Sequence, residues 1–306
     1  MISQGLRGGD GRNRTADTRI FSPLLYRLSY ITSLICGGKD KHQFLSTSRF
    51  FLFFQIFFQT FRKVSNFATM NLVIDQGNTA IKLAIFDQTN LIEKVSIERN
   101  LNSEILEFYH KYELNLDKAI YSSVTNDEFP EINIPVLKFS TDTPLPIQNK
   151  YSTPKSLGKD RLANAVAVWF LNPHQNSLAI DMGTCIKYDI VSEKGEYLGG
   201  NISPGLEMRY KSLNYFTDKL PLLSARQDEF NYGIDTETSI FNGVQQGIYH
   251  EINGFIQRYK EQFGGLTIFM SGGSTIFFDK EFKNDIFANP NLTLIGLNQI
   301  LMYNAE

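Results

Sequence analysis

The chain has 306 residues, 42% hydrophobic and 20% charged, with a formal net charge of −2. That is length for one large domain or two ordinary ones, with ample residues for a core. Residues 1–69 carry ten Lys+Arg against three Asp+Glu, while the remainder holds twenty basic and twenty-nine acidic residues. An acidic main body excludes a broad nucleic-acid surface, because phosphate backbones are held mainly by Lys and Arg. Two cysteines, Cys36 and Cys185, make no disulfide framework, and four scattered histidines give no zinc spacing. The expected setting is a reducing one, the cytoplasm.

Residues 1–69 contain ten of the twenty-five phenylalanines, most of them between Phe50 and Phe61. That apolar run is twelve residues, short of the ~20 a spanning helix needs. It sits too far from the start for a signal peptide, and no small-residue cleavage site follows it. Met70, by contrast, is followed at once by an apolar strand. The segment 1–69 is therefore expected to be a non-native or disordered extension, with working domains at 70–176 and 177–306.

From Met70 onward the sequence repeats itself. Leu72–Ile74 leads into Asp75-Gln76-Gly77-Asn78-Thr79, and Leu178–Ile180 leads into Asp181-Met182-Gly183-Thr184. Each is followed by a second apolar stretch, Ile81–Phe86 and Cys185–Val191, as a hairpin's return strand would be. Two copies of one domain facing across a cleft are the expected arrangement. In the first half, strands at Leu91–Ile97 and Ala119–Val124 flank a helix over Ser103–Tyr112. A Pro/Thr/Ser-rich loop, Asp142–Ser156, leads into a helix over Asp160–Leu171. The second half predicts a strand at Tyr197–Ile202 and helices at Gly205–Tyr215 and Glu237–Phe263. Gly243 and Gly247 share a stripe of the long helix where a neighbouring backbone could approach. A buried-type strand, Leu266–Met270, then ends in Ser271-Gly272-Gly273.

The chemistry follows from the turns. In Asp75-Gln76-Gly77-Asn78-Thr79-Ala80-Ile81-Lys82 the glycine turn can present N–H groups to phosphate oxygens. Asn78 and Thr79 add neutral hydrogen bonds and Lys82 adds charge. Asp75 would be repelled by bare phosphate and makes sense beside a metal ion or water, a combination that suits magnesium–nucleotide binding. The same turn could be an ordinary polar hairpin, but its recurrence favours the nucleotide. In Gly158-Lys159-Asp160-Arg161 the bland alternative is that Asp160 caps the helix and Arg161 is solvated. The chemical alternative is that Asp160 accepts a hydroxyl proton while Arg161 grips a carboxylate. The glycines of Gly199-Gly200 and Gly272-Gly273 read as turn punctuation or, in the later pair, as room for a flat base.

The order of these motifs, with Tyr151, Thr217-x-x-Leu220-Pro221 and Gly233-x-x-Thr236, resembles the type III pantothenate kinases across nearly all of Met70–Glu306. The resemblance implies an α/β fold of two duplicated RNase H-like lobes, as in the actin-like ATPases, facing across a nucleotide cleft. It implies ATP-dependent phosphorylation of pantothenate, with Asp160 as catalytic base. It also assigns Asp75 to Lys82 and Thr184 to ATP, and Tyr151, Gly158, Lys159, Asp160, Arg161 and Thr236 to the substrate. Asp181 becomes the ligand of a potassium or ammonium ion, Mg2+ accompanies ATP, and a homodimer is implied, with neither a membrane nor a nucleic acid as partner. Asp235 stands where the family usually has asparagine, and Cys185 where alanine is common. The rival readings are a non-catalytic transcriptional accessory factor and a sugar or acetate kinase on the same scaffold. Retention of Asp75, Asp160 and Asp181 together argues against the non-catalytic factor, while a sugar or acetate kinase would turn over those substrates instead.

Overall fold

The computed structural model describes residues 69–98, 102–124, 131–226, 232–278 and 286–305. The chain divides into two compact units at Asn66/Phe67, and the expectation for residues 1–69 lies, but for Thr69, outside the described residues. Within the second unit the strands are β1 (Met70–Gln76), β2 (Ala80–Asp87), β3 (Asn90–Glu98), β4 (Leu116–Ser123), β5 (Val136–Lys138), β6 (Gln148–Asn149), β7 (Ser177–Met182), β8 (Cys185–Val191), β9 (Glu196–Pro204), β10 (Thr267–Ser271) and β11 (Ile286–Ala288). The helices are α1 (Asn102–Tyr112), α2 (Lys159–Leu171), α3 (Leu206–Tyr215), α4 (Thr236–Phe263) and α5 (Leu292–Tyr303).

The duplication is a duplication of topology. One sheet runs β3-β2-β1-β4-β5, and the other runs β9-β8-β7-β10-β11 with β6 added beside β9. In both, the first three strands form an antiparallel meander and the last two join in parallel. Strand alternation then sorts side chains by face. Leu72 and Ile74 pack outward with α1 residues Ile105, Phe108 and Tyr109. Leu178, Ile180 and Met182 pack outward with α3 and α4. Val73, Ala84 and Ile120 of the first sheet and Ala179, Val191 and Phe269 of the second face a shared core around α2 and α5.

These two helices cross between the halves. α2 packs on β7 and β8, whereas the C-terminal α5 packs on β1, β2 and β4. Their mutual approach depends on Gly296, where an added Cβ would stand 1.8 Å from the Ala163 carbonyl oxygen. The sequence periodicity does not reveal α5, because eight of its residues are buried and a helix covered on all sides lacks a polar stripe. The long helix α4 does show its stripe, with Ile240, Val244, Ile248, Ile252 and Ile256 buried. The expected close approach at Gly243 and Gly247 is not seen among the described residues, since beyond the helix's own neighbouring backbone nothing lies within 4 Å of either Cβ position. Among the described residues no helix is long and apolar enough to cross a membrane.

Candidate active site

The strand alternation that builds the central core also aims charge into it. Asp75 shares the face of Val73, and Asp181 shares that of Ala179, so both carboxylates point toward the α2 layer. The hairpins then place a lysine opposite each. Asp75 pairs in register with Lys82, and Asp181 with Lys187. On the parallel side each aspartate faces a buried serine, Ser122 and Ser271. Sequence motifs alone do not single out Lys187 or Ser122 as site residues, whereas Ser271 stands in the Ser271-Gly272-Gly273 motif. The signal for Lys187 is the match between the two hairpins, hidden by a turn one residue shorter in the second copy.

Asp160 enters from the first turn of α2. The helix cap is Gly158, not Asp160, and Asp160 Oδ1 accepts from the Arg161 backbone N–H at 2.9 Å. Asp160 Oδ2 accepts from Lys187 Nζ at 2.6 Å, and the same ammonium lies 2.6 Å from Asp181 Oδ2. Burial alone would push Lys187 down, but Asp181 and Asp160 outweigh it and hold the ammonium well above its ordinary pKa. Asp75 moves up, to about 6, chiefly through burial; Lys82 and Lys187 oppose the shift while Asp160 and Asp181 add to it. Asp75, Asp160, Asp181, Lys82 and Lys187 thus form one electrostatic group, three carboxylates against two ammonium ions.

Arg161 is not solvated. It is 3% exposed and Asp189, on β8, is fully buried. Arg161 Nε donates to Asp189 Oδ1 at 2.8 Å, and Nη2 stands 2.7 Å from the same oxygen. Tyr197 donates to that oxygen as well, at 2.8 Å. Burial pushes Asp189 up to about 6, against the opposing pull of Arg161. Nη2 forms an ion pair with Oδ1 and is itself buried. The Tyr151 ring lies 5.7 Å from the guanidinium carbon. Arg161 therefore already has a carboxylate partner inside the protein, and nothing in the linear sequence marks Asp189 as that partner.

The turns complete the site. Gly77 N–H donates to the Ala80 carbonyl at 3.0 Å, and Gly183 N–H to that of Cys185 at 3.2 Å. Asn78, Thr79 and Thr184 at the tips are exposed, while Gln76 and Ile81 are buried, so Ile81 can offer only its backbone. Lys159 and Gly158 are half-buried beside Asp160. Gly272 has φ +102° and holds its backbone against Met182, where a Cβ would come within 2.5 Å of backbone atoms. The missing side chain therefore lets this strand end pack against the second turn, and Gly273 faces open space.

Thr236 is elsewhere. It opens α4 and is exposed, on a groove of about 940 Å³ lined also by Arg209, Leu213, Gly233, Ile234 and Gly243. None of the lining residues belongs to the Asp160 group. Asp235 caps α4, its carboxylate accepting from Thr238 N–H at 2.8 Å, and those Thr238 contacts hold it below the usual carboxylate range. An asparagine there could accept the same bond, so the departure from the family leaves this cap intact.

An ion on Asp181 does not fit this arrangement. Its Oδ2 is already occupied by the Lys187 ammonium, which also fixes Asp160. Magnesium brought by a nucleotide does fit. The group has one carboxylate more than it has ammonium ions, and hard oxygen donors suit that cation.

Comparison with known proteins converges on one family. The sequence profile described as "Type III pantothenate kinase" matches residues 71–258. A type III pantothenate kinase of Bacteroides fragilis is 44% identical over 242 residues, covering 77% of this chain and 98% of that one. Those of Phocaeicola vulgatus and Christiangramia forsetii are 41% and 43% identical, each over 77% of this chain and 99% of theirs. The chain belongs to the type III pantothenate kinase family. Its α/β fold is built from two copies of one sheet topology.

Proposed function

We propose that the chain transfers the γ-phosphoryl group of ATP to the primary hydroxyl of pantothenate, yielding 4'-phosphopantothenate, the first step of coenzyme A biosynthesis. The observation that carries this reading is the Asp160 carboxylate, held by Lys187 between the two turn carboxylates at the head of α2. The hydroxyl oxygen attacks the γ-phosphorus, the bond to the ADP oxygen breaks, and the hydroxyl proton passes to Asp160. Phosphoryl transfer asks a protein mainly for positioning and charge neutralisation. The turn from Gly77 to Thr79, with Lys82, receives the phosphates on one side, and Thr184 does so on the other. Mg2+ bound with ATP beside Asp75 would neutralise phosphate charge. Tyr151, Gly158, Lys159 and Arg161 would hold pantothenate, whose carboxylate suits the guanidinium fork.

We also infer a homodimer in which Thr236 serves the partner's substrate. Tyr215, Phe216, Tyr232 and Ile234 are all more than 70% exposed, and Ile234 borders the Thr236 groove. Exposed apolar groups gathered in this way mark interaction surfaces. The cytoplasm, where ATP is plentiful and thiols stay reduced, is the proposed location.

The test is pantothenate-dependent ADP release in Asp160→Asn. The change keeps shape and removes the basic oxygen, so turnover should fall by roughly 10²–10⁴-fold with ATP binding nearly intact. Near-normal turnover with a raised KM for pantothenate would make Asp160 a positioning group and reject it as the base.

A further inference from the structure

We propose that Lys187 is a built-in monovalent cation, so that this enzyme needs neither potassium nor ammonium. The inference rests on the kinase reading and concerns the same site. Its geometry is that of one ammonium nitrogen 2.6 Å from Asp181 Oδ2 and 2.6 Å from Asp160 Oδ2. A free ion bound to Asp181 would have to displace a side chain that is only 15% exposed and that two carboxylates hold at once. Three further observations support the assignment.

First, the position is set by the fold. Lys187 faces Asp181 across a hairpin as Lys82 faces Asp75, so each turn carries its own cation. Second, three carboxylates against two ammonium ions leave one negative charge over, and the nucleotide's magnesium answers it without a bare monovalent ion. Arg161 is taken up by Asp189, and Lys187 answers Asp181 and Asp160, so only Asp75 shares its lysine with the incoming nucleotide's magnesium. Third, an ammonium has three hydrogens. Two are directed at Asp160 and Asp181, and the third remains for a phosphate oxygen, the duty a free cation would otherwise perform. Lys187 is thus a positioning residue for Asp160 and an electrostatic one for the phosphoryl group. Being covalently held, it supplies this charge without any ion concentration dependence.

The experiment compares full-chain enzyme in potassium, ammonium, sodium and tetramethylammonium chlorides at equal ionic strength, reading ADP release with and without pantothenate. Thallium NMR of the ADP complex reads monovalent-ion binding directly. The expected result is turnover within about twofold across all four salts, against the tenfold that 1.4 kcal/mol of cation assistance would give, and no saturable thallium binding. Lys187→Met should lose roughly 10²–10³-fold, the usual cost of removing one preorganised charge-stabilising donor. It should regain part of that in potassium or ammonium alone, and gain thallium binding that Asp181→Asn removes. Lys187→Arg should retain more activity than Lys187→Met.

Saturable thallium binding to the wild-type protein, displaced by potassium and abolished by Asp181→Asn, would overturn the proposal. So would activation of the wild type by potassium of about tenfold or more. If pantothenate elicits no turnover in any salt, the kinase reading fails, and thallium binding still decides whether Lys187 holds the cation position. Should Lys187→Met fail to fold, the wild-type salt series and its thallium spectrum decide the question by themselves.

Discussion

Replacing Asp189 by asparagine probes the buried pair that orients Arg161. Asp189 is fully buried and Arg161 is 3% exposed, so the substitution keeps the volume but strands a guanidinium charge in the core. Removing one member of such a pair costs about 3–5 kcal/mol, because the remaining charge is uncompensated. Against a typical stability of about 5–15 kcal/mol this is a large fraction. At about 2–4 °C per kcal/mol for a domain of this size, the melting point should drop by roughly 6–20 °C. The assay is urea unfolding of the wild type, Asp189→Asn, Arg161→Met and the double variant Arg161→Met/Asp189→Leu. The double variant should recover most of the loss, since well-packed apolar groups replace buried ion pairs at little cost. In the single variant, KM for pantothenate should rise more than turnover falls, because the fork is no longer aimed. A cost below about 1 kcal/mol for Asp189→Asn would mean the pair behaves as a solvated one and would refute the reasoning.

Two further outcomes follow from the same geometry. Asp75 has a folded-state pKa raised from 3.8 to about 6, so the native protein binds its proton more tightly than the unfolded chain does. Its burial penalty is complete above about pH 6 and is relieved as pH falls toward 4; nucleotide-free Asp75→Asn should therefore show a smaller gain in urea stability on acidification than the wild type, and an unchanged profile would place Asp75 in solvent. We also propose that the working enzyme begins at Met70: a chain starting there should fold, sediment as a dimer and turn over pantothenate as the full chain does. Loss of folding in that chain would show that residues 1–69 are part of the working protein.

How much of this can be read from the residues alone depends on which interaction each element answers to. The two turns are legible because a carboxylate, a glycine and a threonine after an apolar strand are local facts, and their repetition is visible without a fold. The helix α2 is legible by its spacing, and so is the stripe of α4. α5 is not, because a helix packed on every side loses the polar face that periodicity detects. The pairing of Arg161 with Asp189 escapes for a related reason. An arginine at a helix start reads as solvated, and one aspartate in an apolar strand reads as ordinary alternation. Only the crossing of α2 onto β7 and β8 brings them together. Lys187 shows the point most sharply. Lys82 stands seven residues after Asp75 and Lys187 six after Asp181, so a search by spacing treats them as different. Hairpin register makes them the same, each lying directly across from its aspartate. The shorter turn absorbs the missing residue, and the pairing of carboxylate with ammonium is the quantity that both halves keep. A charge placed by register has no use for a strict linear motif, and for that reason the second cation of this site is found in the sheet before it is found in the sequence.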